Sequence, residues 1–332
     1  MLRKILDLLL NLFREKAGAE EAPRPAGAEV TEIEAPETAV VGPPASILPP
    51  GIVVTEMSPE PAPEPEIEEP GRMTIGMWTG RASLANPVRD VQLCMAHNIR
   101  RLDVIVNDHS GARATRSFDT FKESQIRTLV KTAQANGIDV HFMSWVMPHE
   151  AYIDRAAEVL VPLCNDLGVS SLQWDAEEPW TKAKSPMGYQ AAAKRIADRF
   201  AGLKCEMGVN GIGYTPAEKF GPLHEICDYV VPQCYSTSTS GMKPTTVVPQ
   251  CVRRWNKVFG GNKKMAIGLA AYKQSGIEGH TIESAMRSAF AGAEAIEGVD
   301  TVIYWSLSSV RLDSRVANVI RELGAPLPAT VS

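Results

Sequence analysis

Ser171-Leu172-Gln173-Trp174-Asp175-Ala176-Glu177-Glu178-Pro179-Trp180 is the stretch from which the fold is read. Its first six residues form a short β-rich run, after which the chain turns acidic and meets a proline. Just before it, Tyr152–Leu167 repeats apolar side chains at helical spacing and closes on Gly168, where a left-handed C′ residue is expected. Working outward, the same alternation recurs in both directions. Thr74–Trp78, Arg101–Val106 and Asp139–Trp145 precede the stretch; Cys205–Val209, Tyr229–Cys234, Met265–Ala270 and Thr301–Trp305 follow it. Helical patterns at Phe118–Asn136, Met187–Phe200 and Ile282–Ile296 separate further runs, and Asn136-Gly137 repeats the glycine stop. Eight strand–helix units between residues 73 and 323 match the roughly 250 residues of a (β/α)8 barrel. A doubly wound open sheet competes, but no GxGxxG follows the first strand and the count reaches eight. The expected fold is an α/β TIM barrel over residues 71–332.

The preceding residues are of another kind. Leu2, Ile5, Leu6, Leu9, Leu12 and Phe13 fall on one helical face, with Arg3, Asp7, Asn11, Arg14 and Glu15 opposite, which predicts an amphipathic docking helix over 1–16. Its partner is a docking protein or a membrane surface. A signal peptide competes, since Met1–Lys4 is basic and Ala17-Gly18-Ala19 resembles a cleavage site, but Asp7, Asn11 and Arg14-Glu15-Lys16 interrupt the apolar region. Residues 17–70 hold half of the 24 prolines and 12 glutamates against one base, Arg24. Such a stretch buries too little apolar surface to offset its ordering entropy and reads as a disordered tether. The net charge of −5 is therefore concentrated there, and the remaining body is mildly basic. That is far too weak to argue for nucleic acid. The six cysteines lack CxxC spacing and read as buried thiols of a reducing compartment, without a structural zinc; a Cys234–Cys251 disulfide stays open. The expected setting is synthesis in a reducing cytoplasm and action at a cell envelope or on a virion.

In a (β/α)8 barrel the chemistry lies at the carboxyl ends of the strands. Strand alternation puts Gln173, Asp175 and Glu177 on one face, with the α-carbons of Asp175 and Glu177 roughly 6.6 Å apart. Two shielded carboxylates at that distance repel, which raises one pKa and leaves an acid beside a base. Glycosidic bond cleavage needs such a pair. Glu177, nearer the open end, is assigned as general acid and Asp175 as the ionised partner, with Glu178 in reserve if a bulge shifts the parity. An isolated Asp-x-Glu would read as a solvated acidic loop. Here Trp78, Trp145, Trp180, Tyr235, Tyr272 and Trp305 all fall at or just past strand ends, where aromatic faces stack on sugar rings. Each alone fits a core position; together they favour a cleft. Asp108, Asn210 and Gln233 complete the expected substrate-binding set.

Gln173-x-Asp175-x-Glu177 resembles the tail of the DxxDxDxE motif of family 18 chitinases. Gln233-Cys234-Tyr235 is similar to their Met-x-Tyr element, and Trp305 to their strand-8 tryptophan. The Asp-x-Glu pair also resembles the strand-4 motif of family 25 lysozymes, which cut peptidoglycan. The resemblance implies a barrel hydrolase of β-linked N-acetylhexosamine polymers, peptidoglycan or chitin, in which Glu177 donates the proton. Asp175 then steadies a substrate acetamide that acts as internal nucleophile, and Tyr235 and Gln233 help to hold it. Ser170 and Gln173 stand where family 18 places aspartates, Ser236 replaces the Asp that follows its tyrosine, and no aspartate ends strand 1 as family 25 would have it.

Other chemistries fit less well. His109, His141 and His149 lack HxH or HExxH spacing, so no metal is expected. Lys273 lies two residues past a strand, but no second cation or phosphate loop supports a Schiff-base aldolase. Gly208–Gly213 has the wrong spacing for a P-loop. No cofactor is expected. The rival from another class is a catalytically silent barrel that binds glycans or serves structurally, because barrels host many functions.

Overall fold

The computed structural model describes residues 73–107, 118–177, 180 and 187–325. The expected docking helix, the tether, Asp108 and Glu178 lie outside the described residues. Eight parallel strands close into one barrel in sequence order, β1 (Thr74–Trp78), β2 (Arg101–Ile105), β3 (Asp139–Trp145), β4 (Ser171–Asp175), β5 (Glu206–Ile212), β6 (Tyr229–Gln233), β7 (Lys264–Ala270) and β8 (Val299–Trp305). Helices follow the strands and form the outer layer, so this is the (β/α)8 barrel. All eight expected runs are strands. The helical pattern at Phe118–Asn136 begins late, at Glu123. Phe118 is instead buried edge-on against Tyr152 at 5.4 Å, and Phe121 N–H donates to the Val106 carbonyl, which holds this segment extended. Gly137 and Gly168 sit at positive φ as expected.

Alternation explains the two cores. Outward residues such as Ile75, Leu102, Phe142, Leu172, Val230, Ile267 and Val302 join the helices in the large outer core. Inward residues form a small inner one: Trp78, Met143, Tyr229, Val231, Ala266 and Ile303. Both faces of a parallel strand are thus buried, as βαβ crossovers require. The inner space is shared between large and absent side chains. A Cβ on Gly208 would stand 2.2 Å from the Tyr229 ring, and one on Gly268 would stand 2.7 Å from Trp78. Only glycine lets those two rings lie across the barrel.

Polar inward residues fill the rest. Arg101 reaches Asp103 through Nε and Nη2, each at 2.8 Å, and its guanidinium lies 5.8 Å from the Tyr229 ring centroid. Burial opposes the guanidinium charge, and Asp103 beside it outweighs that effect, so its pKa is raised. At the amino-terminal mouth a cavity of about 150 Å³ is lined by Arg101, His141, Tyr229, Glu206 and Lys264, among others. It lies at the end of the barrel away from the acidic pair.

Candidate active site

β4 delivers Asp175 to the carboxyl-terminal mouth, in register with Trp145 on β3 and Asn210 on β5. The strand ends there because the backbone turns: Ala176 N–H donates to the Asn210 carbonyl, and Trp180 N–H to that of Glu177. Asp175 is half-buried as a residue, yet its Oδ1 is sealed and has no hydrogen-bond partner among the described residues. Glu177 is exposed. Burial first, and the Glu177 charge second, raise the Asp175 pKa well above the usual carboxylate range. The expectation had Asp175 as the ionised member of the pair; in the resting chain the shift runs toward its protonated form. The surroundings of Asp175 favour its protonated form, because a sealed oxygen with no donor beside it among the described residues cannot hold charge cheaply.

Two phenols share the mouth with the pair. Tyr235, just past β6, packs edge-on against Tyr272, just past β7, with centroids 6.4 Å apart. Burial, Tyr272, Glu177 and Asp175 all push the Tyr235 pKa upward. Burial, Tyr214 and Glu177 push Tyr272 up to about 12. Both therefore stay neutral donors at ordinary pH. Tyr214 belongs to this group and was not anticipated. It follows β5 by two residues, and position past a strand end is the signal that could have found it. Trp305 closes β8 at the mouth, 37% exposed, with its ring 6.1 Å from the buried ring of Trp78. Asp175, Glu177, Tyr235, Tyr272 and Trp305 are thus brought to one end of the barrel.

Other expected contacts are corrected. Trp145 is buried against Tyr152 at 6.1 Å, and Tyr152 OH and Asn107 Nδ2 both donate to the Trp145 carbonyl. Trp180 is fully buried, its Nε1 donating to the Val146 carbonyl and its ring beside Tyr189. Both complete the strand–helix core, so neither presents a face to a ligand. Trp78 is buried beneath Trp305 and donates from Nε1 to Gln173 Oε1 at 3.2 Å. Asn210 and Gln233 are buried as well, linked to each other at 2.9 Å and through Asn210 to Gln173 at 2.6 Å. They support the mouth from below. Among the described residues, no three His, Cys, Asp or Glu side chains gather to hold a metal, and the six cysteines are free thiols.

No family model matches the chain, and no curated protein matches it. Solved structures are similar in fold. A GH113 β-1,4-mannanase is 8% identical with a TM-score of 0.53, covering 76% of this chain and 97% of its own. A GH5-4 broad-specificity endoglucanase from Clostridium acetobutylicum is 10% identical with a TM-score of 0.53, at 76% and 97% coverage. Another GH5-4 endoglucanase, from an uncultured bacterium, is 11% identical with a TM-score of 0.51, at 77% and 95%. At these identities the likeness is one of architecture: the chain has the (β/α)8 barrel that these glycoside hydrolases also have.

Proposed function

We propose that the chain is a glycoside hydrolase acting on a β-linked N-acetylhexosamine polymer, with peptidoglycan as the first candidate and chitin as the second. The observation that carries this reading is Asp175, driven toward its protonated form at the mouth of the barrel beside an exposed Glu177. Tyr235 and Tyr272 wall the pair, and Trp305 offers an open aromatic face on which a sugar ring can stack. The glycosidase barrels of similar fold support carbohydrate chemistry in general; the N-acetyl sugar rests on the strand-4 motif.

In the proposed mechanism an acetamide N–H is donated to Asp175, whose proton passes to Glu177. Glu177 then gives that proton to the glycosidic oxygen as the C1–O bond breaks, and the acetamide oxygen closes on C1. Water next attacks C1, returns its proton to Glu177, and reopens the ring. Asn210 and Gln233 shape the floor. Glu177→Gln should cut release of reducing ends from peptidoglycan and chitin by about a hundredfold to ten-thousandfold, the size of acid–base contributions, while the melting temperature is kept. Wild-type protein that binds these polymers without releasing ends would favour a silent glycan-binding barrel instead. That second reading has Gln173 in its favour, since an amide replaces the carboxylate of the resembled motif and is wholly engaged inside the barrel.

A further inference from the structure

Two thiols distant in sequence meet at the amino-terminal side of the barrel, away from the acidic pair. Cys164 lies near the end of the helix Glu150–Leu167, and Cys205 stands just before β5. The chain is fixed on both sides of Cys205. Lys204 N–H donates to Asn165 Oδ1 at 2.9 Å, and Asn165 Nδ2 donates to the Gly202 carbonyl at 2.9 Å. Glu206 N–H donates to the Ser170 carbonyl at 3.3 Å, which sets the β4–β5 register of Ser171 and Glu206. Held in this way, the Cys164 and Cys205 side chains share a hydrogen bond. The two differ in access: Cys164 is buried, whereas Cys205 is partly open to solvent. They differ in acidity as well. The hydrogen bond from Cys164 brings the Cys205 pKa below the usual thiol value, against burial and the charges of Glu206 and Asp228. The same bond, and then burial, raises that of Cys164.

An accessible thiolate backed by a second thiol is the arrangement of an attacking and a resolving cysteine. We propose that Cys205 and Cys164 form an oxidisable dithiol, in which a hydroperoxide is reduced at Cys205 and Cys164 then closes a disulfide. The Cys205 thiolate attacks one peroxide oxygen, the O–O bond breaks and hydroxide leaves, giving a sulfenic acid. Cys164 loses its proton to that hydroxide, and its sulfur attacks the sulfenic sulfur. The S–O bond breaks as the S–S bond forms, and the departing hydroxide takes up the proton that Cys205 first released. Two thiols and one hydrogen peroxide thus give one disulfide and two waters. Cys234 and Cys251 also neighbour each other, but both are sealed in the core, as are Cys94 and Cys227. These four serve as internal controls. Nothing in this chemistry depends on what the mouth of the barrel binds.

The reduced, folded full chain is treated with hydrogen peroxide, denatured, alkylated with iodoacetamide and mapped by peptide mass. Cys164 and Cys205 should appear joined by a link that dithiothreitol reverses. Thiol loss at this pair should be at least about tenfold faster than at Cys94, Cys227, Cys234 or Cys251. Cys164→Ser should leave Cys205 as a sulfenic acid that dimedone captures, and Cys205→Ser should leave Cys164 unreacted over the same time. A wild-type Cys205 that passes to sulfinic acid without a link, or a link between any other two cysteines, would overturn the proposal. So would loss of all six thiols at one rate. Should a serine variant not fold, the wild-type map decides alone.

Discussion

Asp175 is placed where ionisation is disfavoured, and the sign of its effect on stability follows. Its pKa is raised in the folded chain above the roughly 3.9 of an unfolded aspartate, so the folded state binds the extra proton. The protonated form predominates in both states only well below the unfolded pKa of about 3.9, and stability is lost as pH rises through the folded pKa. Asp175→Asn should therefore raise Tm near pH 8, by roughly 2–4 °C per kcal/mol relieved, with the difference vanishing well below that unfolded pKa. An unchanged Tm at pH 8 would contradict the burial argument. The aromatic residues divide at the same scale. Trp180→Ala should lower stability by about 3–5 kcal/mol in a denaturant titration, as a buried indole lost from a packed core does. Trp305→Ala should leave the melt within about 0.5 kcal/mol and weaken oligosaccharide binding severalfold. The sequence made Asp175, Glu177, Tyr235, Tyr272 and Trp305 legible because strand ends in a barrel share one face of the molecule. It did not separate Trp305 from Trp145 and Trp180, since proximity to a strand end does not say whether a ring turns to the mouth or into the helices. Tyr214 stayed hidden because it directly follows Gly208–Gly213, a segment weighed only against P-loop spacing.

Among the elements, the short helix Gly221–Ile226 packs its His224 ring onto Phe259 of the helix Val247–Phe259, with centroids 4.8 Å apart and planes nearly parallel. Burial, helped by the nearby Lys263 charge, lowers the His224 pKa to about 4. The folded chain thus binds fewer protons than the unfolded one between pH 6.5 and 4. Stability from this packing is present above pH 6.5 and declines as acid approaches pH 4. His224→Phe should flatten the fall of Tm across that window, and an equally steep slope in the variant would dismiss the residue as its source. Strand and helix positions were legible because period-2 and period-3.6 patterns alternate strictly from Thr74 to Leu323. The late start of the helix at Glu123 was not, since Phe118 and Phe121 continue the apolar rhythm while serving a tertiary contact. The buried Arg101-x-Asp103 pair was likewise overlooked, although two charges at inward parity in a parallel strand are unusual enough to mark an interior network.

At the level of the whole chain, the acidic, proline-rich residues 17–70 contrast with the mildly basic barrel. If they tether the barrel near a polymer and the proposed hydrolysis holds, removing residues 1–70 should leave turnover of a soluble oligosaccharide within about twofold. Retention on polymer or membrane should then drop sharply, because local concentration is lost. Undiminished retention would assign attachment to the barrel itself. The exposure of Trp305 has an optical consequence. Of the six indoles, the other five are buried in the two cores, so a soluble quencher such as iodide will reach essentially one emitter. Its quenching curve is a built-in gauge of the barrel mouth: a saccharide seated there should shield that emission in proportion to occupancy, without any label attached to the chain.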